Sequence, residues 1–182
     1  MTESPLPVSL EATRRSRRRP DAERRTDAER LLDRLVELDW SIATAESLTG
    51  GLVVASLVAV PGASRTVRGG IVAYATGLKQ SLLDVDATLL EVGGAVQAKV
   101  ARQMAERVRE TMAVDGRPAE VGISTTGIAG PDSPDGQPVG TVHIGVSTPL
   151  GTRVESLVLS GTREEIRAEA VQLAIRLARD AL

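Results

Sequence analysis

The chain has no cysteine and no phenylalanine, and only one histidine, one tyrosine, one tryptophan and two lysines among 182 residues. Each scarcity closes a route. Without cysteine there is no disulfide framework, no thiolate chemistry and no Cys-based zinc site, which fits a reducing cytoplasm. A single histidine, His143, argues against a His-rich metal site and is the one residue that a Ser-His-Asp triad could use. The longest apolar run, Leu52-Val-Val-Ala-Ser-Leu-Val-Ala-Val60, has about half the length needed to cross a bilayer, so no membrane contact is expected. The arginine-rich segment Arg14-Arg-Ser-Arg-Arg-Arg19 is followed by no apolar core of the kind a secretory signal needs, so none is expected. A formal net charge of −2 gives no global case for a nucleic-acid partner.

What is present describes an ordinary globular chain, 42% hydrophobic and 25% charged, of a length that suits one domain. Residues 1–26 hold Pro5, Pro7 and Pro20 and lack apolar periodicity, so they read as a disordered Arg-rich tail. From 27 to 182 the pattern is that of one domain. Leu31, Leu32, Leu35, Val36 and Leu38 recur at helical spacing behind a cap at Thr26 or Asp27. Strands are expected near 40–44, 67–74, 120–126, 141–147 and 152–159, the last two joined through a Pro149–Gly151 turn. Helices are expected near 51–60, 77–83 and 97–113, with a last one capped by Thr162. Interleaved strands and helices predict an α/β domain of three layers, α/β/α, with a mixed but mostly parallel sheet.

The segment most suited to chemistry is Thr44-Ala-Glu-Ser-Leu-Thr-Gly-Gly51, a polar turn between a strand and a helix. Such a turn exposes a hydroxyl, Ser47, among small residues whose N–H groups can face an anion or a developing oxyanion. The glycine spacing is that of neither a phosphate-binding Walker loop nor a Rossmann fingerprint. Helix capping by Ser47 is the plainer alternative. Because arginine supplies nearly every positive charge, the lysines Lys79 and Lys99 stand out as the residues able to lose a proton. Tyr74 falls at a strand end and Lys79 in the next short helix. In an α/β sheet such turns converge on one rim, where ligands bind. Serine, lysine and phenol make a workable nucleophile and base set without histidine; a half-buried sheet tyrosine and a solvated lysine are the alternative. The Gly- and Pro-rich loop Gly127–Gly136 follows a strand, and its amides could cradle a phosphate or ribose. His143, in mid-strand, reads as structural or solvent-facing, and Asp132 with Asp135 makes a poor metal site.

Ala45-Glu-Ser-Leu-Thr-Gly-Gly51, Val60-Pro-Gly62, Gly69-Gly-Ile-Val-Ala-Tyr74 with Lys79, Gly94-Ala-Val96, Thr126-Gly-Ile-Ala-Gly-Pro131, Pro138-Val-Gly-Thr-Val142 and Gly161-Thr-Arg-Glu-Glu-Ile-Arg167 occur in that order. Together they resemble the CinA C-terminal domain family, whose enzymatic members are nicotinamide mononucleotide amidohydrolases. The resemblance covers residues 27–182. It implies hydrolysis of the nucleotide's carboxamide to nicotinate mononucleotide and ammonia, within pyridine-nucleotide salvage in the cytoplasm, with no metal or redox cofactor. It places the nucleophile on Ser47 and its catalytic partners on Lys79 and Tyr74. Substrate contacts are expected from Glu46, Thr49, Gly50, Gly51, Thr126, Gly127 and Gly130, with the turn amides of Thr49, Gly50 and Gly51 as oxyanion or phosphate donors. The family's habit implies a homo-oligomer, and the length implies the stand-alone form rather than the larger two-domain members. The sequence departs from the family pattern at Leu48, where many members have cysteine, and at Gln97, where a serine is common. It departs again at Pro131–Gln137, which lacks the usual Gly-Gly and lysine. A non-catalytic module that binds a nucleotide or a partner is the alternative from another class.

Overall fold

A computed structural model describes residues 25–133 and 136–182. The Arg14–Arg19 cluster and Asp135 lie outside them.

The described residues form six α-helices and five strands: α1 (Asp27–Leu38), β1 (Ile42–Glu46), α2 (Leu52–Val58), β2 (Val67–Val72), α3 (Thr76–Leu83), α4 (Ala87–Gly93), α5 (Ala98–Thr111), β3 (Val121–Gly127), β4 (Thr141–Thr148), β5 (Gly151–Val158) and α6 (Arg163–Asp180). The strands form one sheet in the order β2-β1-β3-β4-β5. β1 pairs in parallel with both β2 and β3, whereas β4 is antiparallel to β3 and β5. Four of the five strands therefore run the same way and β4 alone runs against them. Thr26, within the segment expected to be tail, is the N-cap of α1 and forms a capping box with Glu29. Thr162 and Glu165 repeat that device at the start of α6. Helix α4 has no counterpart in the periodicity reading, because its seven residues bury only Leu90 and so carry no stripe.

Strand alternation divides the core into two layers. Ile42, Val121, Ile123, Val142, Ile144 and Val146 face α1, α2 and α6, where they meet Leu31, Leu35, Leu57, Ile166 and Ile175. The other face carries Ala43 and Ala45 against Val100, Met104 and Val108 of α5. Small residues there let α5 lie close. A Cβ on Gly122 would sit 2.0 Å from the Ala105 carbonyl, and one on Gly145 would sit 2.6 Å from that of Ala101. Both are nearer than any real carbon approaches, so the α5 layer depends on glycine at these two positions.

The same topology creates a crevice. The chain leaves β1 through α2 on one face of the sheet and leaves β2 through α3–α5 on the other. Adjacent parallel strands whose connections part to opposite faces leave an opening at their C-terminal ends, the usual ligand position in open α/β sheets. Ser47 follows β1, and Ala73 to Lys79 follow β2.

Candidate active site

Ser47 and Lys79 meet across that crevice. Lys79 Nζ lies 3.0 Å from Ser47 Oγ, 2.8 Å from the carbonyl oxygen of Ala73 and 3.4 Å from that of Tyr74. The serine is 7% exposed and the lysine has no exposed surface. Among the described residues Lys79 has no acidic partner. Burial without a counter-charge penalises the ammonium, and the Lys79 pKa is pushed down to about 8. About one molecule in ten then carries a neutral amine at pH 7, against roughly three in ten thousand for an ordinary lysine. In the neutral form both amine hydrogens have acceptors in the two carbonyls, and the lone pair is left for the Ser47 hydroxyl. In that form the amine can accept a proton from the serine. Lys99, the other lysine, is exposed on α5.

The alternative reading of Ser47 as a helix cap does not hold. The N-cap of α2 is Gly51 and it makes no side-chain cap bond. The capping is done from beneath by Glu46, expected to contact substrate. Its carboxylate is 1% exposed and accepts from the N–H groups of Gly51, Val53 and Val54 and from the hydroxyls of Thr44 and Thr49. With five bonds inward it has nothing to offer a ligand, and its role is to fix the turn. The same saturation corrects two of the three expected oxyanion donors. The Gly51 N–H donates to Glu46 and the Gly50 N–H donates to the Ser47 carbonyl. The Thr49 hydroxyl is likewise turned inward, within hydrogen-bonding distance of Glu46 and Thr125.

Tyr74 stands at the mouth of the crevice. It is 60% exposed and its hydroxyl accepts from Arg163 at 3.2 Å. Lys79 touches Ser47 directly, so the phenol stands in the cavity wall rather than between lysine and serine. Thr126, Gly127 and Gly130 line the same cavity, of about 430 Å³, together with Ser47, Tyr74, Lys79, Leu48, Val96, Asp132 and Arg163. Two of these three are also engaged structurally. The Thr126 hydroxyl donates to the Ala95 carbonyl, and the Gly130 carbonyl accepts from Arg163 at 2.6 Å. Gln137, the last residue of the altered stretch, donates to the Val96 carbonyl in the cavity wall. His143 lies on β4 with Nδ1 2.8 Å from Ser156 Oγ, away from the cavity. Among the described residues there is no group of three or more acidic, His or Cys side chains able to hold a metal.

The arginines of α6 escaped the sequence reading. Arg163 and Arg167 are one helical turn apart, so they share a face, and both point at the site. Arg163 reaches Gly130 and Tyr74, and Arg167 donates to the carbonyls of Leu48 and Thr49. The i, i+4 arginine pair at the start of α6, one of them inside the capping box, was the available signal.

Residues 24–182 match the CinA C-terminal domain. The chain belongs to that family. A relative from Geobacillus kaustophilus is 49% identical over 137 residues, covering 75% of this chain and 32% of its own. A CinA-like protein of Frankia casuarinae is 46% identical over 149 residues, covering 82% and 33%. The chain thus spans about a third of the length of the curated relatives it matches. Among solved structures, a CinA superfamily protein from Klebsiella pneumoniae superposes with a TM-score of 0.79 at 27% identity, covering 85% of this chain and 94% of that one. A competence/damage inducible protein from Agrobacterium tumefaciens gives 0.74 at 31% identity, covering 84% and 94%. No helix of the described residues is long and apolar enough to cross a membrane.

Proposed function

We propose that the chain is an amidohydrolase that cleaves the carboxamide of nicotinamide mononucleotide, giving nicotinate mononucleotide and ammonia. The observation that carries this reading is the buried 3.0 Å contact between Lys79 Nζ and Ser47 Oγ, with a lysine whose pKa is low enough to serve as a base. Membership of the CinA family is consistent with it. Neutral Lys79 takes the Ser47 proton as Oγ adds to the carboxamide carbon. The tetrahedral intermediate collapses with the C–N bond breaking, and the Lys79 ammonium returns the proton to the departing nitrogen, which leaves as ammonia. A water molecule, deprotonated by the same amine, then adds to the Ser47 ester, and Ser47 recovers its proton as the carboxylic acid departs. A positively charged pyridinium ring withdraws electrons from the carboxamide, so a nucleotide-linked nicotinamide suits a nucleophile of modest strength.

The cavity matches such a substrate in kind. Its apolar wall of Leu48, Leu90, Val96 and Ile128 suits a flat ring, and the Arg163 guanidinium at the mouth suits a phosphate. Tyr74, held by Arg163, is assigned to substrate positioning. Incubating purified protein with nicotinamide mononucleotide should release ammonia, and Ser47→Ala, with its circular dichroism unchanged, should release none. Activity surviving that substitution would sink the assignment. Tight binding of the nucleotide with no ammonia from the unaltered chain would favour a non-catalytic binding module instead.

A further inference from the structure

We propose that the backbone N–H groups of Leu48 and Thr49 form the oxyanion hole for Ser47, and that Arg167 is the positioning residue that aims them. The inference deepens the proposed amide hydrolysis and rests on it. It starts from what is used up in the turn. Ser47 N–H donates to the Thr125 carbonyl, Gly50 N–H to the Ser47 carbonyl, Gly51 N–H to Glu46, and Leu52 N–H to the Thr49 carbonyl. Among the described residues the N–H groups of Leu48 and Thr49 alone in this run have no acceptor, although the two residues are 4% and 0% exposed. A buried amide hydrogen without a partner is a costly state that folded chains rarely keep. Here two of them follow the nucleophile directly, and Leu48 lines the cavity next to Ser47. The residue after the nucleophile is where a strand-turn-helix serine presents such a donor.

Arg167 determines where they point. Its Nε donates to the Leu48 carbonyl at 2.9 Å and its Nη2 to the Thr49 carbonyl at 3.1 Å, from a position more than a hundred residues away in the chain. A trans peptide is planar, with its C=O and its N–H on opposite sides. Holding the Leu48 oxygen against the guanidinium therefore turns the Thr49 N–H away from it. Holding the Thr49 oxygen turns the Gly50 N–H back onto the Ser47 carbonyl, which in turn directs the Leu48 N–H away from the turn. One planar cation thereby fixes three successive peptides. It also strengthens the Thr49 donor, because a charge bonded to a peptide oxygen polarises the N–H of the same unit. Glu46 pins the turn from the other side, and a Cβ on Gly50 would lie 3.4 Å from Arg167 Nη2, so the guanidinium packs directly on the turn. Among the described residues no carboxylate pairs with Arg167, which leaves its whole charge to the turn.

The test compares the unaltered protein with Arg167→Ala and Arg167→Lys, the second keeping the charge and most of the stem where the first fails to fold. Two readouts are taken: steady-state ammonia release from nicotinamide mononucleotide, and the rate at which a small fluorophosphonate labels Ser47, located by peptide mass spectrometry. The label forms a phosphorus–oxygen bond to Oγ with loss of fluoride through an oxyanion of its own, whatever amide is the true substrate. Both variants should lose about 100-fold in kcat with KM within threefold, and the same factor in labelling rate. The limb that rises with pH near 8 should stay in place, since Lys79 is untouched, and added guanidinium should restore part of the activity of Arg167→Ala. Labelling and kcat within threefold of the unaltered protein would overturn the Arg167 assignment. So would a loss confined to KM. Labelling of Ser47 without ammonia release would count against the substrate and leave the oxyanion inference to the labelling rates. No labelling of Ser47 in the unaltered protein would overturn both.

Discussion

Replacing Lys79 with methionine should change how stability depends on pH, by an amount the site itself sets. In the unfolded chain Lys79 titrates near 10.5, and in the fold it titrates near 8 because burial removes the ammonium from water. Between those values the unfolded chain binds more protons at this position than the folded one, so stability rises with pH across the window. Below pH 8 both states are protonated and the full cost of burying the charge is present; above 10.5 neither is and the cost is gone. The difference of 2.5 units corresponds to about 3 kcal/mol. Methionine has nearly the same length and no charge, so its stability should lack this component. The Ala73 and Tyr74 carbonyls lose their donor in the variant, which adds a constant offset of about 1–3 kcal/mol per oxygen left dry. That offset does not depend on pH, and every other titrating group is common to both proteins. The measurement is urea unfolding at pH 7, 8, 9 and 10, followed by emission of the single tryptophan, Trp40, which is half-buried against the core. The unaltered protein should gain on Lys79→Met by roughly 2–3 kcal/mol between pH 7 and pH 10, the larger part of the full difference. Parallel stability curves would show that Lys79 is not depressed in the fold, and the argument for a neutral base would go with it.

Three further outcomes follow from the same geometry. The kcat/KM for ammonia release should rise with pH on a single-proton limb centred near 8, as the free enzyme's base is uncovered; a limb below 7 would point to another group. Arg163→Ala removes the cation at the cavity mouth and should raise KM by roughly 10- to 100-fold with little change in kcat, the loss of one charge-assisted contact. Comparing the nucleotide with its dephosphorylated nucleoside in both proteins checks this, because the nucleoside should not feel the substitution. Glu46→Gln keeps the shape but sets an NH2 group against N–H donors of the α2 turn, and should cost roughly 3 kcal/mol of stability. Its unfolding midpoint in urea reads the loss, while the limb near pH 8 should not move.

Much of the site was legible because scarcity did the sorting. A chain with two lysines and one tyrosine offers few bases, and Lys79 and Tyr74 stood at a strand end and the turn beyond it, where an α/β sheet gathers its rim. The five strands could be read from short apolar runs bounded by turn signals, and helices α1, α5 and α6 from their apolar stripes. Three things could not. Glu46 is adjacent to the nucleophile, and adjacency suggests contact with substrate; only the turn of α2 reveals that its carboxylate is consumed by N–H groups. The direction of a backbone amide is a property of the folded turn, so Thr49, Gly50 and Gly51 looked equivalent as donors while two of them were already bonded. Arg163 and Arg167 lie more than a hundred residues from Ser47, and their i, i+4 spacing at a helix start says that they share a face but not that the face is turned toward Ser47.

The partition of charge around Ser47 decides whether a lysine could act as the base that the proposed reaction needs. Two buried ionic side chains, Glu46 and Lys79, flank the same turn with 1% and no exposure, yet they do not pair with each other. Strand alternation decides this. Glu46 ends β1 on the face that carries α2, whereas Ser47, one residue on, turns toward α3 and Lys79. The carboxylate spreads its charge over three amide N–H groups and two hydroxyls, and the amine finds only neutral oxygens. Had the register of β1 slipped by one residue, every side chain would change face, and the carboxylate would stand beside the ammonium. An ion pair in that position would hold the lysine protonated well above neutral pH, and a protonated lysine accepts nothing from serine. In the proposed reaction, Ser47 therefore depends on Glu46 being near enough to build the turn and on the wrong side of the strand to reach Lys79.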